Sequence, residues 1–287
     1  MKKILSYFSL VKFSHTIFSL PFALTGFLMA MDTTNDRPDI IVIAATLLCL
    51  VFARNAAMSF NRIIDKRFDS MNPRTAQREI PSGKIHSSSA LIFTVVNSLL
   101  FVCSAYFINT VCFYLSPVAL LIILSYSYTK RISWICHFHL GLGLMTAPVG
   151  AYMAVSGILS ADIFLLGTVV LFWVAGFDII YAIQDMEFDR KTMLFSVPAR
   201  FGDKKALHIS RFTHAVAGIA LLIWWALYFY QQWILLAGCV LFMGYMARQH
   251  FLIRPGQYYR INAVFFLSNG IASIGFGIFY ILNYILY

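Results

Sequence analysis

The stretch Asp178-Ile-Ile-Tyr-Ala-Ile-Gln-Asp185-Met-Glu-Phe-Asp189 follows a run of apolar residues over 163–177. The length of the apolar run predicts a membrane-spanning helix near 163–184. Asp178 lies roughly 10 Å deeper than Asp185 by helix rise. An ionisable side chain at that depth is costly in lipid and usually serves a function. This stretch therefore predicts a membrane helix with a functional polar end.

The first acidic cluster of the chain lies 120 residues earlier, in Asn61-Arg-Ile-Ile-Asp65-Lys-Arg-Phe-Asp69, and the stretch 178–189 is the second. Each cluster ends in Asp-x-x-x-Asp, a spacing that places two carboxylates on one face of a helix. We expect both clusters to form continuous helical stripes, and their similarity favours an internal duplication. Together they hold six of the chain's 12 acidic residues, namely Asp65, Asp69, Asp178, Asp185, Glu187 and Asp189.

The composition of the 287-residue chain indicates an integral membrane protein. Hydrophobic residues make up 60% of the chain and charged residues 12%, with a mean hydropathy of +0.76. A soluble domain averages roughly 25% charged residues. The apolar runs are continuous rather than alternating, which favours helices over a β-barrel. We predict an all-α polytopic bundle forming a single domain over 1–287, with about nine spans near 13–31, 40–62, 87–109, 111–128, 138–156, 163–184, 207–229, 231–247 and 262–286.

The distribution of basic residues predicts the orientation in the membrane. The net charge is +10, and nearly all lysines and arginines fall at the N-terminus or in alternate loops. This pattern places those loops in the cytoplasm, together with the N-terminus and both acidic clusters. The charge therefore reflects topology, and no nucleic-acid partner is expected. The basic tail Met1-Lys-Lys leads into an apolar run without a plausible cleavage site, so no signal peptide is expected.

Several other kinds of site are excluded by spacing. The five cysteines are dispersed and form no Cys-x-x-Cys pair, so neither a disulfide nor a zinc site follows. His137 and His139 have no further ligand nearby in sequence, and we do not expect them to bind a metal. The chain has no P-loop or dinucleotide fingerprint, so no nucleotide or organic cofactor is expected.

Carboxylates and cations in this arrangement suit a phosphorylated lipid. Mg²⁺ binds through a few carboxylates together with substrate phosphate oxygens. Lysine and arginine side chains then neutralise the oxygens that the metal leaves uncovered. One such cluster alone is more often a solvated, salt-bridged helix end. Two clusters, each with a further polar residue deeper in the helix, favour a Mg²⁺-dependent site for a diphosphate carried on a lipid.

Two other classes of membrane protein share some of these features. A transporter would also have repeats and membrane acids, but its sites lie near the bilayer midplane. Here most of the clustered acids are expected at cytoplasmic ends among basic loops, which favours an enzyme. A lipid phosphotransferase of the CDP-alcohol type also uses Asp-x-x-x-Asp, but its Asp-Gly-x-x-Ala-Arg stretch is absent.

The chain resembles the UbiA family of membrane prenyltransferases over essentially its whole length. The resemblance rests on five motifs that occur in the same order and at the same spacing as in the family. They are Asn61-x-x-x-Asp65-x-x-x-Asp69, Arg74-Thr-x-x-Arg78-x-x-Pro-x-Gly83, Tyr126-x-x-x-Lys130, Asp178-x-x-x-Ala182-x-x-Asp185-x-x-x-Asp189, and Ser196-Val-Pro-Ala-Arg-Phe-Gly202.

This resemblance implies a reaction and a role for each motif. It implies the UbiA-type fold and the transfer of a polyprenyl group from its diphosphate to an aromatic ring. The intermediate allylic cation would be sheltered by aromatic side chains, of which the chain has 27 Phe and 15 Tyr. The implied metal ligands are Asn61, Asp65 and Asp69 for one Mg²⁺, and Asp185 and Asp189 for a second. The implied diphosphate-binding residues are Arg74, Arg78, Lys130, Arg131 and Lys191. The implied catalytic residues, on the acceptor side, are Asp178 and Tyr126.

The chain departs from the family pattern at two places. Arg62 stands where many members have a second acid, and Leu194-Phe195-Ser196-Val197 replaces a loop that usually contains a lysine. Both details are similar to a 4-hydroxybenzoate polyprenyltransferase-like branch, part of which is associated with menaquinone made by the futalosine route. The resemblance therefore implies a 4-hydroxybenzoate-like acceptor, with 1,4-dihydroxy-6-naphthoate as the alternative.

The resemblance also implies where the protein acts and with what. We expect the bacterial inner membrane, with the polyprenyl tail in an apolar tunnel open to the bilayer. The expected partners are polyprenyl diphosphate, the aromatic acceptor and lipid, and no protein partner is inferred. Lys12 and His15 are considered for the acceptor's carboxylate, but snorkelling and packing are the simpler interpretation.

Overall fold

The computed structural model describes residues 2–11, 18–35, 37–256 and 258–287. Throughout this part of the chain the regular structure is helical, without a strand. A short 3₁₀ turn, Ile183–Asp185, separates two of the helices. The helices are α1 Lys2–Val11, α2 Leu20–Thr34, α3 Ile40–Ile64, α4 Lys66–Met71, α5 Ser87–Tyr106, α6 Thr110–Thr129, α7 Cys136–Ser156, α8 Ala161–Ala182, α9 Met186–Lys191, α10 Val197–Tyr228, α11 Trp233–Leu252 and α12 Ile261–Leu286.

The prediction of an all-α polytopic membrane protein is confirmed. Within the described residues, eight helical segments are long and apolar enough to cross a bilayer. The predicted number of about nine is close. The remaining predicted span, 13–31, falls on α2, and its residues 13–17 lie outside the described part of the chain. Span seven was predicted near 207–229 but the helix begins ten residues earlier, at Val197.

The helices divide into two compact units. The first comprises residues 1–16 and 38–128, and therefore contains α1 and α3 to α6. The second comprises residues 17–37 and 129–287, and contains α2 and α7 to α12. The first acidic cluster belongs to the first unit and the second cluster to the second unit. That the whole of 1–287 forms a single domain stays a prediction.

In the first unit, small and polar side chains hold α3 against α5. Ser59 Oγ donates a hydrogen bond of 3.0 Å to the carbonyl oxygen of Ala90. Asn55 Nδ2 donates to Asn97 Oδ1 at 2.9 Å, deeper along the same pair of helices. Both Ser59 and Ala90 are fully buried. Small interface residues and interhelical hydrogen bonds are the usual means of helix association where lipid offers no hydrophobic drive.

In the second unit, α8 forms the centre and packs against both α7 and α10. Trp173 on α8 is fully buried among aromatic rings, and its Nε1 donates to Asn269 Oδ1 of α12 at 3.1 Å. At Gly141 of α7, a Cβ would lie 2.2 Å from the carbonyl oxygen of Leu171. The two helices can approach this closely only because residue 141 is glycine. The packing fixes the end of α8 that carries Asp178.

Both acidic clusters are interrupted at their central aspartate, contrary to the continuous stripes predicted. Asp65 has φ −84° and ψ 0°, and it separates α3 from α4. Asp185 has φ −103° and ψ 3°, and it ends the 3₁₀ turn before α9. These dihedral angles fall in the sparsely populated bridge region, which is frequent among active-site residues. The prediction of one uninterrupted helix through each cluster was therefore wrong, although i, i+4 backbone hydrogen bonds remain on both sides of Asp65. The shared break is consistent with a duplicated motif.

The backbone conformation of Gly202, inside α10, can be tested by substitution. It interrupts α10 with φ 80° and ψ 168°, a conformation essentially restricted to glycine. We expect Gly202→Ala to lower the unfolding free energy by about 1–3 kcal/mol, because alanine must adopt a strained backbone there. Thermal unfolding of the detergent-solubilised protein measures this change.

Gly150→Ala is the matched control. Gly150 lies in regular helix α7, where a Cβ would meet nothing within 4 Å. Alanine is favoured over glycine in a helix by about 0.5–1 kcal/mol, so this variant is expected to keep or raise the unfolding temperature. An equal effect of both substitutions would show that the backbone of Gly202 is not strained as described.

Candidate active site

The first acidic cluster forms around the break between α3 and α4. Asn61 Nδ2 donates a hydrogen bond of 2.9 Å to Asp65 Oδ2. The backbone N–H of Asp69 donates to the carbonyl oxygen of Asp65 at 2.7 Å, so the chain keeps a helical turn across the break. These contacts bring together the three residues that the sequence predicted as one group.

Asp69 is the most buried carboxylate of this first cluster. Arg78 Nη1 donates to Asp69 Oδ1 at 2.6 Å, and Thr75 Oγ1 donates to the Asp69 carbonyl oxygen at 3.1 Å. The loop between α4 and α5 thus folds back onto the cluster and brings Arg78 of the Arg-x-x-x-Arg motif to it. The other carboxylate oxygen, Oδ2, is buried and receives no hydrogen bond. A buried carboxylate oxygen without a donor favours a bound cation.

The other predicted residues of the first unit differ in exposure. Arg74 is exposed on the same loop, and its backbone N–H donates to Asn72 Oδ1 at 3.0 Å. Tyr126 near the end of α6 is half-buried and interacts electrostatically with Arg62. Arg62 itself is buried, with 3% of its surface exposed, and it also interacts with Asp69. The position where the family often has an acid therefore brings a buried cation to the first cluster.

The second acidic cluster is built on α9 and the start of α10. Asp189 is fully buried; Lys130 Nζ lies 2.8 Å from its Oδ1, and Ser196 Oγ donates to its Oδ2 at 2.9 Å. Asp185 is also buried and interacts electrostatically with Lys130. Burial alone would lower the pKa of Lys130, but the charge and hydrogen bond of Asp189 outweigh it and raise that pKa.

The start of α10 supplies polar groups to this cluster. Ser196 is the N-cap of α10, and its Oγ accepts a hydrogen bond of 3.2 Å from the backbone N–H of Ala199. Pro198 follows inside the first turn, where its missing N–H costs nothing. The backbone N–H of Phe195 donates to the Lys130 carbonyl oxygen at 2.7 Å. The Ser-Val-Pro motif is therefore a helix start that also contacts Asp189.

Asp178 contacts a histidine rather than the acidic pair. Asp178 Oδ2 lies 2.7 Å from His137 Nδ1, at the beginning of α7. The backbone N–H of Val197 donates to His137 Nε2 at 3.2 Å. His137 is 2% exposed, whereas the Asp178 side chain is 25% exposed. The sequence analysis assigned Asp178 to the acceptor and not to the proposed metal ligands Asp185 and Asp189. In the structure its hydrogen-bond partner is His137.

Two further predicted residues, Arg131 and Lys191, belong to the second unit. Arg131 is half-buried and Lys191 is exposed at the end of α9. Lys12 and His15 lie outside the described residues. An open apolar groove of about 570 Å³ along α11 is lined by residues such as Trp233, and none of the predicted site residues lines it.

Magnesium is the metal that the sequence implied, and the donor set can be compared with its needs. Among the described residues, no three His, Cys, Asp or Glu side chains form a group able to hold a metal by themselves. Mg²⁺ does not need such a group, because it usually takes one or two carboxylates plus phosphate oxygens. In the first unit Asp69 Oδ2 is a buried oxygen without a donor, and in the second unit Asp185 lies beside Asp189. Each cluster taken by itself therefore fits Mg²⁺ held by one or two carboxylates and phosphate oxygens.

Two side chains of this site were missed by sequence reasoning. His137 was considered only as a metal ligand, and Ser196 only as part of a loop motif. The contact between His137 and Asp178 joins residues 41 positions apart, so periodicity could not reveal it. The only signal was the position of His137 at the polar end of a predicted span, where a buried histidine needs a partner.

Comparison with known proteins gives a family match over most of the chain. The model of the UbiA prenyltransferase family matches residues 19–270. A protein named 4-hydroxybenzoate octaprenyltransferase from Aliivibrio salmonicida (strain LFI1238) is 31% identical over 218 residues, which cover 74% of this chain and 75% of that protein.

Two solved structures show the same fold. The apo structure of a UbiA homolog from Aeropyrum pernix K1 has a TM-score of 0.84 and 32% identity, and the match covers 93% of this chain and 97% of the other. A UbiA homolog from Archaeoglobus fulgidus, bound to DMAPP and Mg²⁺, has a TM-score of 0.76 and 19% identity, over 98% and 100% of the two chains.

Proposed function

The chain belongs to the UbiA prenyltransferase family, and from this premise we propose that it transfers a polyprenyl group to 4-hydroxybenzoate in quinone biosynthesis. The family is enzymatic, so the transporter alternative is set aside. The protein is an integral membrane prenyltransferase that uses an isoprenyl diphosphate. The observation that carries the proposed acceptor is the 31% identity to a 4-hydroxybenzoate octaprenyltransferase.

The proposed reaction exchanges a carbon–oxygen bond for a carbon–carbon bond. The bond between C1 of the prenyl group and the diphosphate oxygen breaks, and its electron pair leaves with the diphosphate. A ring carbon of the acceptor then bonds to C1, and that carbon loses its proton. The products are the prenylated ring, diphosphate and one proton, so no oxidant or reductant is needed.

The acidic clusters are the proposed metal-binding groups. Mg²⁺ bound with the diphosphate supplies the positive charge that stabilises the leaving group. Asn61, Asp65 and Asp69 would hold one ion, and Asp185 and Asp189 a second. The buried Asp69 Oδ2 supports this assignment, as does the presence of DMAPP and Mg²⁺ in the Archaeoglobus fulgidus homolog.

The basic residues are proposed to bind the diphosphate oxygens. Arg78 and Lys130 neutralise Asp69 and Asp189 directly, and each remains partly exposed, so each can also reach a phosphate oxygen. Arginine pairs with phosphate through two N–H groups, while lysine acts as a compact point charge. The complete proposed set is Arg74, Arg78, Lys130, Arg131 and Lys191.

Asp178 is proposed to act on the acceptor. Its carboxylate is held by His137 and remains partly exposed, so it can accept a hydrogen bond from a ring hydroxyl or take the proton lost from the ring. Tyr126 is proposed to help orient the reacting groups. We also infer the bacterial inner membrane, with the N-terminus and the site loops cytoplasmic, from the distribution of basic residues.

A second acceptor, 1,4-dihydroxy-6-naphthoate, is supported by specific residues. Arg62 and the loop Leu194-Phe195-Ser196-Val197 depart from the common family pattern and resemble a 4-hydroxybenzoate polyprenyltransferase-like branch, part of which is associated with menaquinone. Both acceptors are hydroxylated aromatic acids, so the proposed roles of Asp178 and the acidic clusters are the same for either.

An acceptor panel tests the function. Purified protein in detergent or nanodiscs is given an isoprenyl diphosphate, Mg²⁺ and one of three acceptors: 4-hydroxybenzoate, 1,4-dihydroxy-6-naphthoate or 1,4-dihydroxy-2-naphthoate. We expect 4-hydroxybenzoate to give the highest kcat/KM for the prenylated product, measured by mass spectrometry. Preference for 1,4-dihydroxy-6-naphthoate would move the protein to the menaquinone branch, and no product from any of the three would contradict the proposal.

A further inference from the structure

We propose that His137 is a positioning residue for the acceptor step, acting through its hydrogen bond to Asp178. This inference rests on the proposed function, because it assigns a role within that reaction. His137 Nδ1 lies 2.7 Å from Asp178 Oδ2, a short distance for a nitrogen–oxygen pair. The bond therefore fixes the direction in which the rest of the carboxylate points.

The backbone of α10 decides which nitrogen of His137 carries the proton. The N–H of Val197 can only donate, so His137 Nε2 must accept and cannot carry a proton. The single proton of a neutral imidazole then resides on Nδ1. Nδ1–H donates to Asp178 Oδ2, and the other carboxylate oxygen is left to accept a hydrogen bond from the acceptor.

Burial of His137 protects both of its hydrogen bonds from competition by water. His137 is 2% exposed, so water does not compete for either ring nitrogen. Val197 is the first residue of α10, and its N–H has no partner within the helix. His137 therefore satisfies a helix terminus with one nitrogen and orients Asp178 with the other. The Asp178 side chain is 25% exposed, which leaves part of the carboxylate to the acceptor.

The same helix start also holds a residue of the second acidic cluster. Ser196, next to Val197, donates from its Oγ to Asp189 Oδ2 at 2.9 Å. Ser196 thus contacts Asp189 directly, whereas Val197 reaches Asp178 only through His137. The beginning of α10 therefore supports both carboxylates, one directly and one through the histidine.

The competing interpretation is that His137 only satisfies the start of α10. Two substitutions separate the alternatives, because the asparagine amide nitrogen occupies the place of Nδ1 and the glutamine amide oxygen can occupy that of Nε2. His137→Asn retains the donor to Asp178 and loses the acceptor for Val197. His137→Gln retains the acceptor for Val197 and loses the donor to Asp178.

Steady-state kinetics of the purified full-length protein decide between them. We expect His137→Gln to lower kcat/KM for the aromatic acceptor about tenfold or more, while the affinity for the isoprenyl diphosphate stays within about twofold. His137→Asn is expected to stay within about threefold of the parent protein. His208→Asn, an exposed histidine of α10, is the control and is expected to have no effect.

Several outcomes would overturn the proposal. The first is a larger loss of kcat/KM in His137→Asn than in His137→Gln, and the second is an equal loss in both variants. The third is an undiminished effect of His137→Gln in a protein that already carries Asp178→Asn. The ¹⁵N NMR signals of the His137 ring give a test that needs no substitution: protonation at Nδ1 is expected, and protonation at Nε2 overturns the assignment. Failure of the parent protein to transfer a prenyl group would instead contradict the proposed function.

Discussion

Replacing Asp65 or Asp185 with asparagine is expected to lower the rate of prenyl transfer by about 10³-fold or more. Each substitution removes one negative charge from an acidic cluster and keeps the size of the side chain. The weakened cluster is then expected to hold Mg²⁺ less tightly, and Mg²⁺ is the proposed source of positive charge for the departing diphosphate. Release of diphosphate and formation of the prenylated ring, followed together over time, measure the effect.

Asp162→Asn is the matched control for this experiment. Asp162 lies in the first turn of α8, where its Oδ1 accepts a hydrogen bond of 2.7 Å from the backbone N–H of Ile163. Asparagine can accept the same bond, so activity is expected to stay within about twofold of the parent protein. Retained activity in Asp65→Asn or Asp185→Asn would contradict the assignment of that residue to metal binding.

Asp178→Asn is expected to impair alkylation of the acceptor ring without weakening binding of the isoprenyl diphosphate. The amide can still accept a hydrogen bond from His137 but cannot take a proton, so ring alkylation is expected to fall by about 10²–10⁴-fold. Binding of the isoprenyl diphosphate is expected to stay within about twofold, because Asp178 lies outside the two Asp-x-x-x-Asp pairs. Single-turnover product formation and equilibrium binding of the diphosphate measure the two quantities separately.

A control for folding accompanies this variant. The thermal unfolding midpoint of Asp178→Asn is expected to stay close to that of the parent, since the bond to His137 is retained. If diphosphate binding and ring alkylation fall by the same factor, Asp178 has a structural role and not the proposed role on the acceptor side.

The membrane helices could be predicted because their signal is local. The apolar run 163–177 and the polar residues that follow define both the length and one end of α8, and the helix was found at Ala161–Ala182. The same reasoning placed α3, α5 and α6 within three residues at either end. Continuous hydrophobicity over about 20 residues determines a transmembrane helix almost regardless of its neighbours.

The breaks at Asp65 and Asp185 were not predictable from spacing. A regular helix is the default for Asp-x-x-x-Asp, and both aspartates instead adopt bridge-region dihedral angles. Tertiary contacts override the local preference here. Arg78 draws the loop onto Asp69, and Ser196 and Lys130 surround Asp189, so each short helix is held by contacts from elsewhere in its unit.

The partner of Asp178 also depends on distant parts of the chain. His137 is 41 residues from Asp178 and 60 residues from Val197, and only the packing of α7, α8 and α10 brings the three together. The motifs predicted which residue types are used at the site. They did not predict the hydrogen bonds that orient those residues.

We propose that the chain catalyses a Mg²⁺-dependent transfer of an isoprenyl group to a hydroxylated aromatic acid. This activity is tested by measuring product formation by the purified protein with isoprenyl diphosphate and 4-hydroxybenzoate, as Mg²⁺ is removed with EDTA and then restored. We predict that product formation requires both Mg²⁺ and the acceptor, stops with EDTA and returns with excess Mg²⁺. Undiminished product formation in EDTA, or no product under any of these conditions, would contradict the proposed activity.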